Sequence, residues 1–227
     1  MPVTALKAVV FDLDGVLIDS SGVWEQVVME FVRRRGGTWR TLTPAETMAG
    51  GNSAEWSTWF KETCRLAMSA ESIREGIIAG IMDSYRRHLP LIPGAVETVR
   101  GLSARYTIGL ASASPRTVID LVLDRAELAP YFAATVSADE VHKGKPDPHV
   151  YIEVCGRLGS DPRRAVAVED APDGLRAAKA AGLWAIAVPP PHPSATDENR
   201  ALADVVVDDI RRITPDLVDA IASGDDA

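Results

Sequence analysis

The chain has 227 residues, of which 46% are hydrophobic and 25% are charged, a balance typical of a globular protein with a substantial core. Its net charge of −8 argues against a general binder of nucleic acids or anionic membranes, because such surfaces are basic. Two cysteines without disulfide or zinc spacing, no apolar run of membrane-spanning length and no leader pattern predict a soluble, cytoplasmic protein.

Short apolar runs recur along the chain without the alternation of apolar and polar residues that half-buried strands show. This pattern is typical of strands that are buried on both faces of a parallel sheet. The runs are residues 8–11, 107–111, 134–137, 165–168, 184–188 and 204–207. Helix-start signals with proline in the first turn stand between several of them, at Ser114–Pro115, Asp147–Pro148, Pro172 and Thr214–Pro215. The sequence therefore predicts a doubly wound α/β fold with a mostly parallel, Rossmann-like sheet.

Residues 20–90 interrupt this alternation, because they contain no convincing strand. Helical patterns cover residues 23–35, 53–67 and 71–89, and Thr43 to Glu46 has capping-box spacing before another short helix. We expect a core domain of residues 1–19 and 91–227, with residues 20–90 inserted as a helical domain after the first strand. The proline-rich stretch 189–199 has the composition of a loop.

Polar side chains follow the first four predicted strands, and ligands of open parallel sheets bind at these carboxyl ends. They are Asp12 and Asp14, then Ser112 to Ser114, then Lys145, and finally Glu169 and Asp170. Carboxylates that converge in this way repel one another unless a cation joins them. Because the cluster contains oxygen ligands without histidine or cysteine, it favours Mg²⁺ over Zn²⁺.

A lysine, a serine hydroxyl and backbone N–H groups at a helix start would complete a site for a phosphate group. One carboxylate could then attack phosphorus while the other exchanges a proton with the leaving group or with water. Taken alone, Asp12 and Asp14 could also be ordinary turn residues after a strand. Ser114 before Pro115 is better explained as a helix cap than as a catalytic group.

Four motifs in chain order resemble those of the haloacid dehalogenase superfamily, whose members mostly transfer phosphoryl groups. They are DLDGVLID at 12–19, LASAS at 110–114, KGKPDP at 143–148 and VEDAPDG at 168–174. The resemblance covers nearly the whole chain. The dehalogenase branch of the superfamily lacks the second aspartate, so Asp14 favours phosphoryl transfer. The inserted helical segment resembles the cap that closes over the substrate in this superfamily.

The resemblance also implies a role for each residue of the motifs. Asp12 would be the nucleophile and Asp14 the general acid and base. Ser112 and the N–H of Ala113 would hold the phosphoryl oxygens, and Lys145 would neutralise charge. Mg²⁺ would be held by Asp12, the carbonyl oxygen of Asp14 and Asp170, with Glu169 binding directly or through water.

Phosphoglycolate phosphatases and β-phosphoglucomutases are similar in pattern, but this chain departs from the mutases. Trp24 stands where the mutases carry a histidine, and Ala49 and Ser53 stand where basic residues would grip a second phosphate. These departures favour hydrolysis over isomerisation and a substrate with one phosphate. The residues that we expect to face the substrate are Ser20, Trp24, Gly51, Asn52 and Ser114. For Trp24, Trp56 and Trp59, packing inside the cap and a substrate wall are equally good explanations.

The sequence therefore predicts a Mg²⁺-dependent phosphatase that hydrolyses a phosphate monoester of a small metabolite through an aspartyl-phosphate. We expect a monomer or weak dimer. The alternatives are a phosphosugar mutase and, with less support, a non-enzymatic partner-binding protein on the same fold.

Overall fold

A computed structural model describes residues 5–40, 50–188 and 196–223. A six-stranded sheet forms its centre, with strand order β3-β2-β1-β4-β5-β6 and every neighbouring pair parallel. The strands are β1 (Ala8–Phe11), β2 (Thr107–Ser112), β3 (Phe132–Ser137), β4 (Ala165–Glu169), β5 (Trp184–Ala187) and β6 (Val205–Val206). The predicted doubly wound α/β fold is confirmed, and all six apolar runs contain a strand.

Strand β1 explains why the apolar runs lack alternation. All four of its residues are fully buried. Val9 and Phe11 belong to one hydrophobic cluster, whereas Ala8 and Val10 belong to a second. Because successive side chains of a strand point to opposite faces, helices must cover both faces of the sheet, and each position needs an apolar residue.

After residue 90, the described chain forms helices α4 (Ala95–Ser103), α5 (Arg116–Arg125), α6 (His149–Leu158), α7 (Pro172–Ala181), α8 (Thr196–Leu202) and α9 (Pro215–Ser223). We call these helices together with the six strands the sheet domain. The helix starts predicted at Ser114–Pro115 and Asp147–Pro148 are confirmed, but the prolines themselves occupy the N-cap positions, so the predicted side-chain cap of Ser114 is wrong. The Asp147 carboxylate instead contacts the imidazole of His149.

Residues 196–199 correct the prediction of a loop over 189–199, because they form the start of α8. The amide of Asn199 donates a hydrogen bond of 2.6 Å to the carbonyl oxygen of Asp170, which ties this helix to the end of β4. That long-range contact has no local sequence signal. Residues 189–195 lie outside the described part of the chain.

In residues 12–40 and 50–94, the described parts of the chain between β1 and α4, the helices are α1 (Ser21–Arg34), α2 (Ser53–Thr63) and α3 (Ala70–Arg87). We call them the helical segment. Helix α2 ends four residues before its predicted end, because Arg65 adopts a left-handed backbone with φ of 54°. The capping box predicted at Thr43 to Glu46, and Ala49, lie outside the described residues.

The chain enters and leaves the helical segment through two adjacent connectors. The N–H of Asp19 donates to the carbonyl oxygen of Pro90 at 2.8 Å, and the N–H of Ile92 donates to that of Leu17 at 2.9 Å. The expected domain boundaries after residues 19 and 90 fall at these connectors and stay a prediction. Among the described helices, none has the length and apolar character needed to cross a membrane.

Candidate active site

The ends of β1 and β4 bring three carboxylates together, and the loop between β3 and α6 adds a lysine. The Nζ atom of Lys145 lies 2.6 Å from Oδ1 of Asp12 and 2.6 Å from Oε1 of Glu169. Asp12, Glu169 and Asp170 each place a carboxylate oxygen within 4.8 Å of the others. Because β1 and β4 are neighbours in the sheet, residues that are more than 150 positions apart in sequence meet at one edge.

The charges of this cluster do not balance within the protein. Burial raises the pKa of Asp12 to about 7, and the charges of Glu169 and Asp14 add to the effect while Lys145 opposes it. Burial and the neighbouring Glu169 also raise the pKa of Asp170. Burial acts to lower the pKa of Lys145, but Asp12 and Glu169 outweigh it and hold the pKa above its ordinary value. Three carboxylates against one ammonium group form a donor set that suits a hard divalent cation.

Two glycines allow the backbone to approach these carboxylates. Gly15 has φ of 80°, and a Cβ atom built there would overlap the carboxylate of Asp170. A Cβ atom at Gly174 would overlap the carboxylate of Glu169. Both positions therefore need glycine for steric reasons. A larger residue at either one would displace a carboxylate of the acidic cluster.

Asp14 lies apart from the acidic cluster and is held by serines. Oγ of Ser114 donates to Oδ2 of Asp14 at 2.7 Å, and Oγ of Ser112 lies 3.4 Å from the same atom. Within the described residues, the buried Oδ1 of Asp14 has no hydrogen-bond partner. The structure thus places Ser114 against the predicted acid and base rather than at a helix cap. A metal bond from the Asp14 carbonyl oxygen stays a prediction.

Ala113 lies between these two serines at the end of β2 and is half-buried. Its neighbour Ser112 is fully buried and accepts a hydrogen bond of 3.0 Å from the N–H of Ser114. Ser112 and Ala113 therefore stand at the carboxyl end of β2, the neighbour of the strand that leads to Asp12, and their binding of phosphate stays a prediction.

Two tyrosines at the site carry no sequence signal, because each occupies an apolar position of a helix. Tyr151 on α6 donates a hydrogen bond of 2.5 Å to Oε1 of Glu169. Tyr85 on α3 is fully buried, and its hydroxyl has no partner at bonding distance among the described residues. Burial and the charge of Asp14 raise the pKa of Tyr85, and the side chains of Ser20 and Trp24 lie nearby. Ser20 and Trp24 therefore lie beside the Tyr85 hydroxyl, and their contact with a substrate stays a prediction.

The tryptophans form an aromatic cluster within the helical segment. Trp24 meets Trp56 edge to face with ring centroids 6.0 Å apart, and Phe60 packs against Trp56 and Trp59 at 6.2 and 5.1 Å. Trp56 is 6% exposed, so packing is the better explanation for it. Trp24 is half-buried and joins this cluster to the surroundings of Tyr85.

The loop before α2 reaches over the loop that carries Lys145. A Cβ atom at Gly50 would lie 2.6 Å from the carbonyl oxygen of Lys145, and one at Gly144 would lie 3.0 Å from the nitrogen of Asn52. Gly51 lies between these contacts. The loop before α2 thus touches the loop of Lys145, and the contact of Gly51 and Asn52 with a substrate stays a prediction.

Comparisons with known proteins identify the family of this chain. A sequence model of the haloacid dehalogenase-like hydrolases matches residues 6–182. Hexitol phosphatase B of Escherichia coli K12 is 32% identical over 92% of this chain and 95% of that protein. Phosphoglycolate phosphatase of Salmonella typhi is 28% identical over 78% of this chain and 79% of that protein.

A crystal structure of β-phosphoglucomutase from Clostridium difficile superimposes with a TM-score of 0.82, covering 96% of this chain and 98% of that one. At 20% identity, this likeness shows the shared fold. The family match and the similarity to two phosphatases extend the conclusion from the fold to the activity. The chain belongs to the haloacid dehalogenase-like hydrolases and is a phosphatase of that family.

Proposed function

We propose that this phosphatase depends on Mg²⁺ and hydrolyses a phosphate monoester of a small metabolite through an aspartyl-phosphate on Asp12. The observation that carries the proposal is the buried contact of Lys145 with both Asp12 and Glu169, next to Asp170. Such an arrangement neutralises a nucleophile and the dianionic group that it attacks. The helical segment acts as the cap that covers this site.

Each residue has a defined part in the reaction. A carboxylate oxygen of Asp12 bonds to phosphorus while the ester P–O bond breaks, and Asp14 gives its proton to the leaving oxygen. Asp14 then takes a proton from water, which attacks phosphorus and releases inorganic phosphate together with the Asp12 carboxylate. Ser112 and the N–H of Ala113 hold the phosphoryl oxygens throughout.

The acidic cluster fits the implied metal, because its three carboxylates exceed the single ammonium charge beside them. Asp12, Asp170 and the carbonyl oxygen of Asp14 would hold Mg²⁺, with Glu169 binding directly or through water. When bound, Mg²⁺ supplies positive charge that offsets the charge of the phosphoryl oxygens.

The names of the relatives suggest which substrates to test first. We propose sugar or polyol phosphates and small acid phosphates, since a hexitol phosphatase and a phosphoglycolate phosphatase are among the similar proteins. The mutase alternative requires transfer between two hydroxyl groups of one sugar. Neither Trp24 nor Ser53 supplies the charge that would hold a second phosphate during such a transfer.

The test is a panel of metabolite phosphates, read by phosphate release with Mg²⁺ present and with a sugar bisphosphate added or withheld. We expect release of phosphate from monoesters without any bisphosphate activator. Isomerised sugar phosphate that forms faster than free phosphate, and only with the activator, would instead establish the mutase. No turnover of any member, with a folded protein, would favour a binding function.

Magnesium should stabilise the protein more as the pH rises. In the metal-free protein, the folded state keeps a proton on Asp12 between its ordinary pKa of 3.8 and about 7, so stability falls as the pH rises through this window. Bound Mg²⁺ needs the ionised carboxylates and removes that penalty. We therefore expect a larger shift of the melting temperature by Mg²⁺ at about pH 8 than at about pH 5.5.

Two matched variants control this measurement. Asp170→Asn should lose the Mg²⁺ shift, whereas Asp173→Asn, on the exposed first turn of α7, should keep it. EDTA should also abolish turnover and added Mg²⁺ should restore it. An equal Mg²⁺ shift at both pH values, or turnover that survives chelation, would overturn the metal assignment.

A further inference from the structure

The two carboxylate oxygens of Asp14 have different surroundings. Oδ2 accepts a hydrogen bond of 2.7 Å from Oγ of Ser114, whereas the buried Oδ1 has no hydrogen-bond partner among the described residues. An unpartnered buried oxygen costs free energy, so its presence at a proposed catalytic residue needs an explanation. Oδ1 is therefore the oxygen of Asp14 that is available to a reacting group.

The backbone of Ser114 is fixed by hydrogen bonds to the ends of two strands. Its N–H donates to Oγ of Ser112 at 3.0 Å, and its carbonyl oxygen accepts from Oγ of Ser137 at 2.7 Å. Ser112 and Ser137 end β2 and β3, face each other in the sheet and are fully buried. Because Pro115 occupies the N-cap of α5, the helix does not use the Ser114 hydroxyl. The sheet thus sets the direction in which this hydroxyl points.

Ser112 cannot replace Ser114 in this contact while it also binds a phosphoryl oxygen. A serine hydroxyl has a single proton to donate. Oγ of Ser112 lies 3.4 Å from Oδ2 of Asp14, which is a long contact compared with the 2.7 Å from Ser114. With Ser114 bonded to Asp14, the proton of Ser112 stays available for the phosphoryl group.

The hydrogen bond from Ser114 determines which oxygen of Asp14 exchanges a proton. When the carboxyl group is neutral, the oxygen that accepts from a hydroxyl is the carbonyl oxygen, so the proton lies on Oδ1. As the ester P–O bond breaks, the O–H bond at Oδ1 also breaks. The proton passes to the leaving oxygen, and the electron pair stays on the carboxylate. The hydrogen bond at Oδ2 then stabilises the negative charge that forms.

We propose that Ser114 is a positioning residue, which orients Asp14 so that Oδ1 gives the proton to the leaving oxygen and later takes one from water. This inference rests on the proposed phosphatase function and assigns Ser114 a part in its proton transfer. The effect is largest for esters that release an alkoxide, because a strongly basic leaving oxygen needs the proton most. A weakly basic phenolate leaves with little help from an acid.

The experiment compares two esters of similar size, p-nitrophenyl phosphate and p-nitrobenzyl phosphate, by phosphate release in the presence of Mg²⁺. The first ester releases a phenolate, and the second releases an alkoxide. We expect Ser114→Ala to raise the ratio of kcat/KM for the phenyl ester over that for the benzyl ester at least about tenfold. A purely structural role of Ser114 would lower both rates by the same factor. An unchanged ratio would therefore overturn the proposal.

Two further variants test whether the hydroxyl itself is responsible. Ser114→Thr keeps the hydroxyl and should keep the ratio within about threefold of that of the wild type. Ser57→Ala is the matched control, because it removes another buried hydroxyl, whose hydrogen bond goes to the carbonyl oxygen of Ala54 within α2. Its ratio should equal that of the wild type. An equal rise in Ser114→Ala and Ser114→Thr would mean that the hydroxyl is not the cause, and it would overturn the positioning role.

Asp14→Asn separates this inference from the function on which it rests. It should raise the ratio at least as much as Ser114→Ala, because it removes the acid itself. A raised ratio in Asp14→Asn with an unchanged ratio in Ser114→Ala overturns the positioning role alone. An unchanged ratio in Asp14→Asn contradicts the acid role of Asp14. A wild-type protein that releases no phosphate from these esters or from the metabolite panel contradicts the phosphatase proposal, and the role of Ser114 fails with either result.

Discussion

Asp12→Asn should lower kcat for an aryl phosphate such as p-nitrophenyl phosphate by at least about 10³-fold, because the amide cannot attack phosphorus. The substitution keeps the shape of the side chain and its contact distance to Lys145. Since burial raises the pKa of Asp12 to about 7, the ionised carboxylate is not a large source of stability in the metal-free protein. We therefore expect a free energy of unfolding in EDTA within about 1 kcal/mol of the wild type.

Steady-state phosphate release and urea unfolding on the same preparations check both parts of this expectation. Asp83→Asn, which removes an exposed carboxylate from α3, is the control, and its activity and stability should match those of the wild type. A folded Asp12→Asn protein that keeps more than about a tenth of the wild-type rate would exclude the covalent route.

Lys145→Met should abolish turnover and also destabilise the fold by about 3 kcal/mol or more. The lysine is 5% exposed and is the cation that the described structure places between Asp12 and Glu169. Without it, two buried carboxylates face each other without compensation. The loss of stability should be larger at about pH 8 than at about pH 5.5, because Asp12, whose pKa burial raises to about 7, is mostly protonated at the lower pH.

The measurement is chemical unfolding in EDTA at both pH values, with Lys143→Met as the control. Lys143 lies two residues earlier and is exposed, so its replacement should leave stability and activity close to those of the wild type. An equal and small destabilisation by the two substitutions would mean that Lys145 is not the charge that balances the cluster.

The fold was predictable because its main signals are local. Apolar runs such as Ala8–Phe11 need no knowledge of their partners, and Gly182 ends α7 with a left-handed backbone, as its position predicts. The meeting of the polar residues after β1, β2 and β4 was also predictable, because the carboxyl ends of parallel strands lie at one edge of the sheet. Helix α4 carries no helix signal of its own, because Pro90, Pro93 and Gly94 directly before it indicate a linker, and α8 was missed because its sequence resembles a loop.

The support around the site was not predictable in this way. Tyr151 looks like any apolar residue of an amphipathic helix until α6 is packed against β2 and β3, where its hydroxyl meets Glu169. Ser114 has the pattern of a helix cap, but its hydroxyl lies 2.7 Å from a carboxylate that is 100 residues away. Asp139 likewise accepts a hydrogen bond from the N–H of Ser53, 86 residues earlier in the chain. Contacts of this kind depend on three-dimensional packing, for which a single sequence carries no periodic signal.

The paired connectors at Leu17 to Asp19 and Pro90 to Ile92 have a consequence for how the family can diversify. The chain crosses to the helical segment and back at one point, and the two crossings are hydrogen-bonded to each other. We therefore expect that another set of helices grafted between these crossings would change the surroundings of the acidic cluster while leaving the strands of the sheet in place.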